Sequence, residues 1–225
     1  TNAIVLDDIT WELLPTCADV YGIAYENLLA TSATINWQTN GTETSWEYAL
    51  GTATTTSPNG LTAVSINETS ANLSTLSSAT TYKIWVRSNC GSGSFGSWTG
   101  PFSFTTQCAE VTNFNQNFDA STNLPNCFKK VDTSGIAYVQ NAGTNVSSAP
   151  NNVFLYQSIL ALPPVNNANS GSHSLKFKVR AAYSAGGNSI IVGYLTDSND
   201  ANSFVSLQTF TASSTTAYET FSAEL

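Results

Sequence analysis

The sequence of 225 residues has no methionine, a single histidine and only seven lysine or arginine residues against fifteen acidic ones. Its formal net charge of -8 leaves no basic surface for binding a phosphate backbone, which excludes nucleic acid as an expected partner. The longest apolar runs, such as 189–195, fall far short of the roughly 20 residues that a membrane-spanning helix needs. We therefore expect neither nucleic-acid binding nor membrane insertion.

The aromatic and cysteine content indicates a folded, exported protein. Five Trp, nine Tyr and eleven Phe supply the apolar surface that disordered chains lack, and the length favours two domains. Four cysteines without a C-x-x-C pair, together with sparse charge, are typical of an oxidising, extracellular setting. Because the chain also lacks a signal peptide and a start methionine, we expect it to be a piece of a longer protein.

Apolar residues recur with a period of two in short runs, which is the pattern of half-buried β-strands. Ala33, Ile35 and Trp37 alternate with polar residues, and the stretch 175–180 does the same. The run 190–195 is apolar almost throughout and predicts a strand buried on both faces. Gly, Asn, Ser and Pro separate these runs, so we predict an all-β fold of two antiparallel sandwiches.

The first half of the chain carries a specific β-sandwich pattern. Leu-Ser-Ser-Ala-Thr-Thr-Tyr at 76–82 has the spacing of a tyrosine corner, in which the buried phenol of Tyr82 hydrogen-bonds to backbone just upstream. Together with Trp37 and the closing Phe-Ser-Phe-Thr-Thr at 102–106, it makes residues 17–107 resemble a fibronectin type III domain. The variant it is similar to is common in secreted proteins of Bacteroidota, which the segments 86–91 and 97–98 match.

The second half, residues 108–225, is similar to the MAM-like, cleaved-adhesin type of jelly roll found in bacterial surface proteins. The likeness lies in the segment 192–197 followed by Phe-Val-Ser-Leu at 204–207. Residues 1–16 contain Ala-Ile-Val-Leu-Asp-Asp-Ile, which resembles the terminal strand of a preceding jelly-roll module, whereas the C-terminal jelly roll lacks its own copy and is incomplete. This implies a tandem array of alternating modules.

A jelly roll without its last strand has an open sheet edge, and unpaired edges recruit strands from elsewhere. We therefore expect the segment from Ala3 to Trp11 to pair with the jelly roll of a neighbouring copy or to fold back on this one. Repeated from copy to copy, such head-to-tail pairing would produce filaments.

Four cysteines allow three pairings, and the residues alone do not choose among them. The fibronectin-like topology implied by the resemblance places the start of the first strand and the end of the sixth at one pole, so Cys17 should meet Cys90. Cys108 and Cys127 flank the entry to the jelly roll and would then staple the domain junction. The alternative is four free thiols, as in a cytosolic protein.

The resemblance also implies a metal. Related jelly rolls often carry a structural calcium between first-strand and last-strand loops, and aspartates among Asn residues and carbonyl groups suit this cation. Asp119 matches the first-strand position, and the last-strand aspartates are Asp7 and Asp8. Because those two belong to another module, the competing interpretation is that all three carboxylates are simply solvated.

The sequence offers little for catalysis. The single histidine, His173, lies in a Ser-rich turn, where a structural role is the simpler interpretation than a catalytic triad. The acidic residues are mostly scattered singly, which disfavours a glycosidase pair. Gly-Ser-Gly-Ser-Phe-Gly at 91–96 matches the dinucleotide-binding string, but between antiparallel strands it predicts a hairpin loop. We therefore predict that the protein is not an enzyme.

Lys176, Lys178 and Arg180 form the first candidate binding surface, because side chains two apart on a strand share a face. The stripe could contact a sulfated or uronic polysaccharide. The simpler interpretation is the solvated face of an antiparallel sheet.

Trp85 and Arg87 share the second candidate surface, and Trp98 on the next strand can reach them. Guanidinium stacked on indole contributes about 0.5–2 kcal/mol. We interpret the three as a structural ladder covering an exposed sheet, with a sugar-stacking platform as the alternative.

These patterns favour a non-catalytic segment of a large modular adhesin, secreted or at the cell surface, whose modules act as spacers, display units and adhesion units. The alternative function is a carbohydrate-binding accessory region of a secreted polysaccharide-degrading enzyme. The resemblance further implies export by the type IX route of Bacteroidota. Expected partners are surface glycans and neighbouring copies of the same modules.

Overall fold

Antiparallel β-strands make up nearly all of the regular structure, as the two-residue period predicts. The computed structural model describes residues 7–8, 17–143, 146–183 and 188–225. The chain divides into two compact units, the first ending at Gln107 and the second beginning at Cys108, which is the predicted boundary. No helix among the described residues is long and apolar enough to cross a membrane.

The described part of the first unit has eight strands: β1 (Val20–Glu26), β2 (Ala33–Thr39), β3 (Trp46–Thr52), β4 (Ala63–Ile66), β5 (Ser70–Leu73), β6 (Thr81–Gly91), β7 (Ser94–Phe95) and β8 (Thr99–Thr105). One sheet has the order β1-β2-β5. The other has the order β4-β3-β6, and both β7 and β8 pair with β6. Two antiparallel sheets in this order form a fibronectin type III-like sandwich, the predicted fold.

The core of this unit is built from alternate residues of its strands. Ala33, Ile35 and Trp37 on β2 are all buried, which confirms the interpretation of their alternation. Trp37 packs edge-on against Trp46 of β3, with ring centroids 6.4 Å apart. Because complete burial of one large apolar side chain contributes about 1.5–3 kcal/mol, these strands supply much of the unit's stability.

The tyrosine corner is formed as predicted. The amide nitrogen of Ser77 donates a hydrogen bond to the phenolic oxygen of Tyr82 at 2.9 Å. Beside it, the hydroxyl of Thr106 accepts from the amide of Thr80 at 3.0 Å and donates to the carbonyl of Ser77 at 2.7 Å. The loop before β6 is therefore tied to both strands of the β6–β8 pair.

The glycine-rich string at 91–96 is a hairpin that joins β6 to β7, as predicted. Gly91, Ser92 and Gly93 have positive φ angles of 77°, 52° and 80°. Glycine adopts this left-handed backbone at low cost, which explains its use in so tight a turn. The turn brings Phe95 back alongside β6.

The described part of the second unit has another eight strands: β9 (Lys129–Lys130), β10 (Ile136–Asn141), β11 (Asn151–Tyr156), β12 (Leu160–Ala161), β13 (Ser174–Val179), β14 (Asn188–Leu195), β15 (Phe204–Ala212) and β16 (Glu219–Glu224). They pair antiparallel as β9 with β12, β10 with β11, β13 with β16 and β14 with β15. An isolated parallel bridge joins Val111 to Val165, and the named strands are all antiparallel. The unit therefore belongs to the predicted fold class, and its MAM-like identity stays a prediction.

Three phenylalanines mark the packed interior of the second unit. Phe177, Phe210 and Phe221 lie with ring centroids 5.2–6.0 Å apart. Phe177 and Phe221 are directly paired across β13 and β16, and β15 contributes Phe210. The alternation in 175–180 therefore has the predicted orientation, with the aromatic side chain inward.

The prediction that 190–195 is buried on both faces is wrong. Ile191 and Tyr194 on β14 are 50% and 51% exposed, whereas Val192 is buried. Ile191 and Tyr194 are three positions apart on β14, so each side of this two-stranded ribbon carries one large exposed side chain. A continuous apolar run could not distinguish a covered ribbon from an open one.

Two disulfides join Cys17 to Cys90 and Cys108 to Cys127, so all four cysteines are paired. These are the pairs that the fibronectin-like topology implied. Each bond lies within one unit, and the paired residues are 73 and 19 positions apart in sequence. Each unit therefore carries its own covalent cross-link.

Candidate functional site

His173 is exposed and hydrogen-bonded within its own turn. Its Nδ1 lies 2.8 Å from the hydroxyl oxygen of Ser172, and its ring nitrogens lie 3.2–3.3 Å from Nδ2 of Asn167. A triad needs an acid that orients the imidazole, and no carboxylate hydrogen-bonds to this ring among the described residues. These contacts stabilise the turn and do not assemble a nucleophile, a base and an orienting acid.

Arg87 lies between two aromatic rings and a carboxylate. Its guanidinium carbon is 3.9 Å from the ring centroid of Phe95 and 4.4 Å from that of Trp98. Its Nε and Nη2 donate to Oε2 of Glu47 at 3.0 and 2.7 Å. The contact between Arg87 and Trp98 is present as predicted. The contacts with Phe95 and Glu47 were not predicted, because the sequence does not show that β7 and β3 pair with β6.

Trp85 does not share the exposed surface of Arg87, contrary to the prediction. Its side chain is 2% exposed, and it lies opposite Ala49 of β3, which is fully buried. On the β8 side, a Cβ at Gly100 would lie 3.0 Å from Cδ1 of Trp85 and 2.7 Å from the carbonyl oxygen of Ile84. Because the chain packs so closely around this indole, Trp85 cannot serve as a sugar-stacking platform.

The basic stripe is shorter than predicted. Lys176 and Lys178 are exposed on β13. Arg180 lies beyond the strand, where its Nη1 donates to the carbonyl of Thr215 at 3.0 Å and its guanidinium carbon is 5.6 Å from the ring centroid of Tyr218. Its charge is held against backbone and an aromatic ring, so two lysines remain as the free basic surface of this strand.

The predicted terminal strand at 1–16, with its pairing segment from Ala3 to Trp11, lies outside the described residues apart from Asp7 and Asp8. Both aspartates are exposed, and the amide of Asp8 donates to Oδ1 of Asp7 at 3.0 Å. No group of three or more His, Cys, Asp or Glu side chains among the described residues could hold a metal ion. The calcium set of Asp119, Asp7 and Asp8 stays a prediction.

Asp119 lies beside a buried amide surrounded by oxygen atoms. The backbone nitrogen of Asn151 donates to Oδ1 of Asp119 at 3.1 Å. The Nδ2 of Asn151 donates to three backbone carbonyls, those of Phe118, Asp119 and Ser121, at 3.1, 3.3 and 3.2 Å. Two protons serve three acceptors, and Oδ1 of this 5% exposed asparagine has no hydrogen-bond partner among the described residues. A carboxylate and an amide oxygen without a donor are ligand types that a hard cation such as calcium prefers.

An aromatic surface of the second unit was not predicted. We call it the tyrosine face and define it by five residues, Ile136, Tyr138, Phe154, Tyr156 and Tyr183. The tyrosine side chains at 138, 156 and 183 are 45%, 51% and 81% exposed. The ring of Phe154 lies 5.7 Å from that of Tyr138 and 6.1 Å from that of Tyr183, measured between centroids.

One signal in the sequence could have revealed this face. Ile-Ala-Tyr-Val-Gln at 136–140 alternates so that Tyr138 and the buried Val139 point to opposite sides of β10. The sequence analysis assigns Tyr138 to a strand but not to a face. The exposed side becomes evident only when β11 adds its own aromatic residues opposite β10.

No protein-family model and no curated protein matches the chain. Among solved structures, the fibronectin type III domain of human contactin 1 is 19% identical, with a TM-score of 0.38, over 49% of this chain and 94% of that one. The corresponding domain of the human collagen α-1(XX) chain is 14% identical, with a TM-score of 0.37, over 44% and 92%. A computationally redesigned β-sandwich protein is 23% identical, with a TM-score of 0.36, over 43% and 97%. Because these likenesses are weak, strand order and pairing carry the fold assignment.

Proposed function

We propose that this chain is a non-catalytic segment of a large modular adhesin, secreted or at the cell surface, whose units act as spacers, display units and adhesion units. The supporting observation is that each β unit contains its own disulfide, Cys17–Cys90 in one and Cys108–Cys127 in the other. Separately closed sandwiches suit a string of modules, and disulfides persist in oxidising surroundings. Export by the type IX route of Bacteroidota stays part of this proposal.

The carboxylates with shifted pKa values support a structural role for the acidic residues. Hydrogen bonds from the hydroxyl of Ser158 and the amide of Ile159 hold the pKa of Asp132 well below its usual range. A hydrogen bond from the hydroxyl of Ser213 likewise lowers the pKa of Glu219. These groups close loops, whereas an active site gathers a nucleophile, a base and charge-stabilising donors around one cleft.

The adhesive role can be tested with coated beads under flow. Beads that carry the oxidised chain should be retained on polysaccharide- or protein-coated surfaces, and beads that carry the reduced and alkylated chain should wash off. Reduction and alkylation is the control because it removes both cross-links, modifies the four cysteines and leaves the rest of the sequence unchanged. Retention no greater than that of albumin-coated beads on every surface would contradict the adhesive role.

Pairing between copies is proposed for the segment from Ala3 to Trp11. Val5→Pro removes a backbone N–H and disfavours a strand there, whereas Asn2→Pro makes the same change outside the segment. Sedimentation analysis should show concentration-dependent association of the unmodified chain and of Asn2→Pro, but not of Val5→Pro. A monomeric unmodified chain would contradict the pairing.

A structural calcium is proposed beside Asp119, with carbonyl oxygens of Phe118 and Ser121 and the amide oxygen of Asn151 as further ligands. Asp7 and Asp8 of a neighbouring module would complete the set. Calcium that binds only the folded protein raises the melting temperature, and EDTA should reverse the rise. Asp119→Asn should abolish the rise, and Asp200→Asn should preserve it. An unmodified protein whose melting temperature is the same in calcium and in EDTA would exclude the site.

A carbohydrate-binding accessory region is the second candidate function. The exposed pair Lys176 and Lys178 favours it through acidic glycans, and the tyrosine face favours it through neutral ones. Binding to polygalacturonate that is lost in the double variant Lys176→Ala, Lys178→Ala would support the first route.

A further inference from the structure

We propose that the tyrosine face binds a neutral polysaccharide chain lying across β10 and β11. This inference deepens the second candidate function and depends on it. It assigns the ligand to a surface other than the basic strand, and it names uncharged sugar rings as the chemical class.

The exposed rings come from three places in the chain and lie on one side of a two-stranded sheet. Tyr138 and Phe154 are directly paired, and Tyr156 lies two residues further along β11 on the same side. The side chain of Tyr183 is 81% exposed, and its ring packs against that of Phe154 with an angle of 70° between the ring planes. Aromatic ring faces carry partial negative charge, which suits the C–H-rich faces of sugar rings.

The six strand positions of this face carry no charge, and the guanidinium of Arg180, near Tyr218, is held by the carbonyl of Thr215. The strand residues whose side chains share it are Ile136, Tyr138, Gln140, Asn152, Phe154 and Tyr156. None of these six is ionisable near neutral pH, while the whole chain has a net charge of -8. An anionic glycan would find no cation on these six positions and would be repelled by the protein as a whole, so the charge distribution favours a neutral ligand.

Polar groups border the rings and can bind hydroxyls. The Oη of Tyr138 lies 3.4 Å from Oε1 of Gln140, and Nδ2 of Asn152 donates to the Oη of Tyr218 at 3.0 Å. The Oη of Tyr138, on a half-exposed side chain, can both donate to and accept from a sugar hydroxyl or its bound water.

The dimensions favour a chain over a globular partner. Six residues per strand span about 20 Å, and two strands side by side present a strip about 10 Å wide. The resulting area of roughly 200 Å² is far below the ~800 Å² that each partner buries in a standard protein interface. A linear polysaccharide needs only a narrow strip, so it is the occupant that this surface fits.

Affinity electrophoresis of the full chain tests the site. Gels contain hydroxyethylcellulose, galactomannan or laminarin as neutral probes, and polygalacturonate or heparin as charged ones. Tyr138→Ala, Tyr156→Ala and Tyr183→Ala remove single rings, and Tyr194→Ala is the matched control, because Tyr194 is 51% exposed like Tyr156 but lies on β14. Melting curves of each variant report folding, which the highly exposed Tyr183 cannot strongly affect.

The proposal expects retardation by at least one neutral probe, unchanged by about 0.5 M salt because no charges are screened. Each of the three tyrosine variants should weaken the retardation about tenfold or more, and Tyr194→Ala should not. Retardation by charged probes alone, or loss in Tyr194→Ala equal to that in Tyr183→Ala, would overturn the site. Absence of neutral binding while coated beads still adhere would overturn the site and leave the adhesive function standing.

Discussion

The phenolic oxygen of Tyr82 lies 2.9 Å from the amide nitrogen of Ser77, five residues upstream, and accepts its hydrogen bond. The ring of Tyr82 is stacked on Phe104 with centroids 5.8 Å apart. Ring and oxygen therefore have different partners, and removing the oxygen alone isolates the contribution of the hydrogen bond.

Tyr82→Phe should lower the free energy of unfolding of the first unit by about 1 kcal/mol, the usual net value of one hydrogen bond. Trp37, Trp46, Trp85 and Trp98 lie in this unit, and Trp11→Phe in every protein compared removes the remaining tryptophan, so that tryptophan fluorescence during urea titration reports this unit alone. Tyr48→Phe is the control, because the hydroxyl of Tyr48 makes no hydrogen bond among the described residues. Equal losses in both variants would contradict the role of the corner.

Arg87→Lys should destabilise the first unit by about 1–2 kcal/mol. Lysine keeps the charge but loses the planar group that stacks between Phe95 and Trp98 and the paired donors that reach Glu47. The same urea titration measures the effect. Lys178→Arg makes the reverse exchange on an exposed strand position and should change stability by no more than about 0.5 kcal/mol. An Arg87→Lys variant with an unchanged free energy of unfolding would show that the stacked guanidinium does not contribute to stability.

Acid should destabilise the second unit through Asp132. Its carboxylate accepts from the hydroxyl of Ser158 and the amides of Ile159 and Gly135, and Nζ of Lys130 lies 3.1 Å away. Because these contacts hold its pKa well below the usual range, the ionised form contributes stability that is complete above the unfolded value near 4. That stability is lost as pH falls from there toward the pKa in the folded protein.

Calorimetry between about pH 2 and pH 7 tests this linkage. Asp132→Asn should lower the melting temperature at neutral pH and should flatten the loss on acidification. Some loss of stability on acidification remains in this variant, because the pKa of Glu219 is also lowered in the folded protein. Glu110→Gln, at an exposed position without a hydrogen bond among the described residues, should leave the profile unchanged. A profile for Asp132→Asn parallel to that of the unmodified protein would refute the assignment.

The two disulfides should differ in their contribution to stability. In the chain-entropy account, a cross-link between residues 73 apart restrains the unfolded chain more than one between residues 19 apart, by about 1 kcal/mol. Calorimetry should show a larger loss of stability for the double variant Cys17→Ser, Cys90→Ser than for the double variant Cys108→Ser, Cys127→Ser. The reverse order would mean that native-state contacts outweigh loop length.

Local alternation and topology account for what the sequence predicts well. The inward side of β2 with Trp37, the corner at Tyr82 and the hairpin at 91–96 all follow from patterns within about ten residues. The disulfide pairs follow from the sandwich topology that the resemblance implies.

The features that escaped prediction depend on which strands become neighbours. Trp85 is buried because β8 approaches it at Gly100, and Ile191 and Tyr194 stay exposed on either side of the β14–β15 ribbon. Arg180 leaves the basic stripe because the strand ends at Val179 and Tyr218 lies near its guanidinium. Side-chain periodicity determines which residues share a face, but packing between strands determines whether that face is covered.

The central claim is that the chain holds other molecules without transforming them. The most direct measurement is the retention of chain-coated beads on one polysaccharide surface for many hours, with simultaneous assay of soluble sugar in the medium. The account predicts constant retention and no released fragments. Soluble fragments that accumulate while retention declines, and that do not accumulate with uncoated beads, would contradict it.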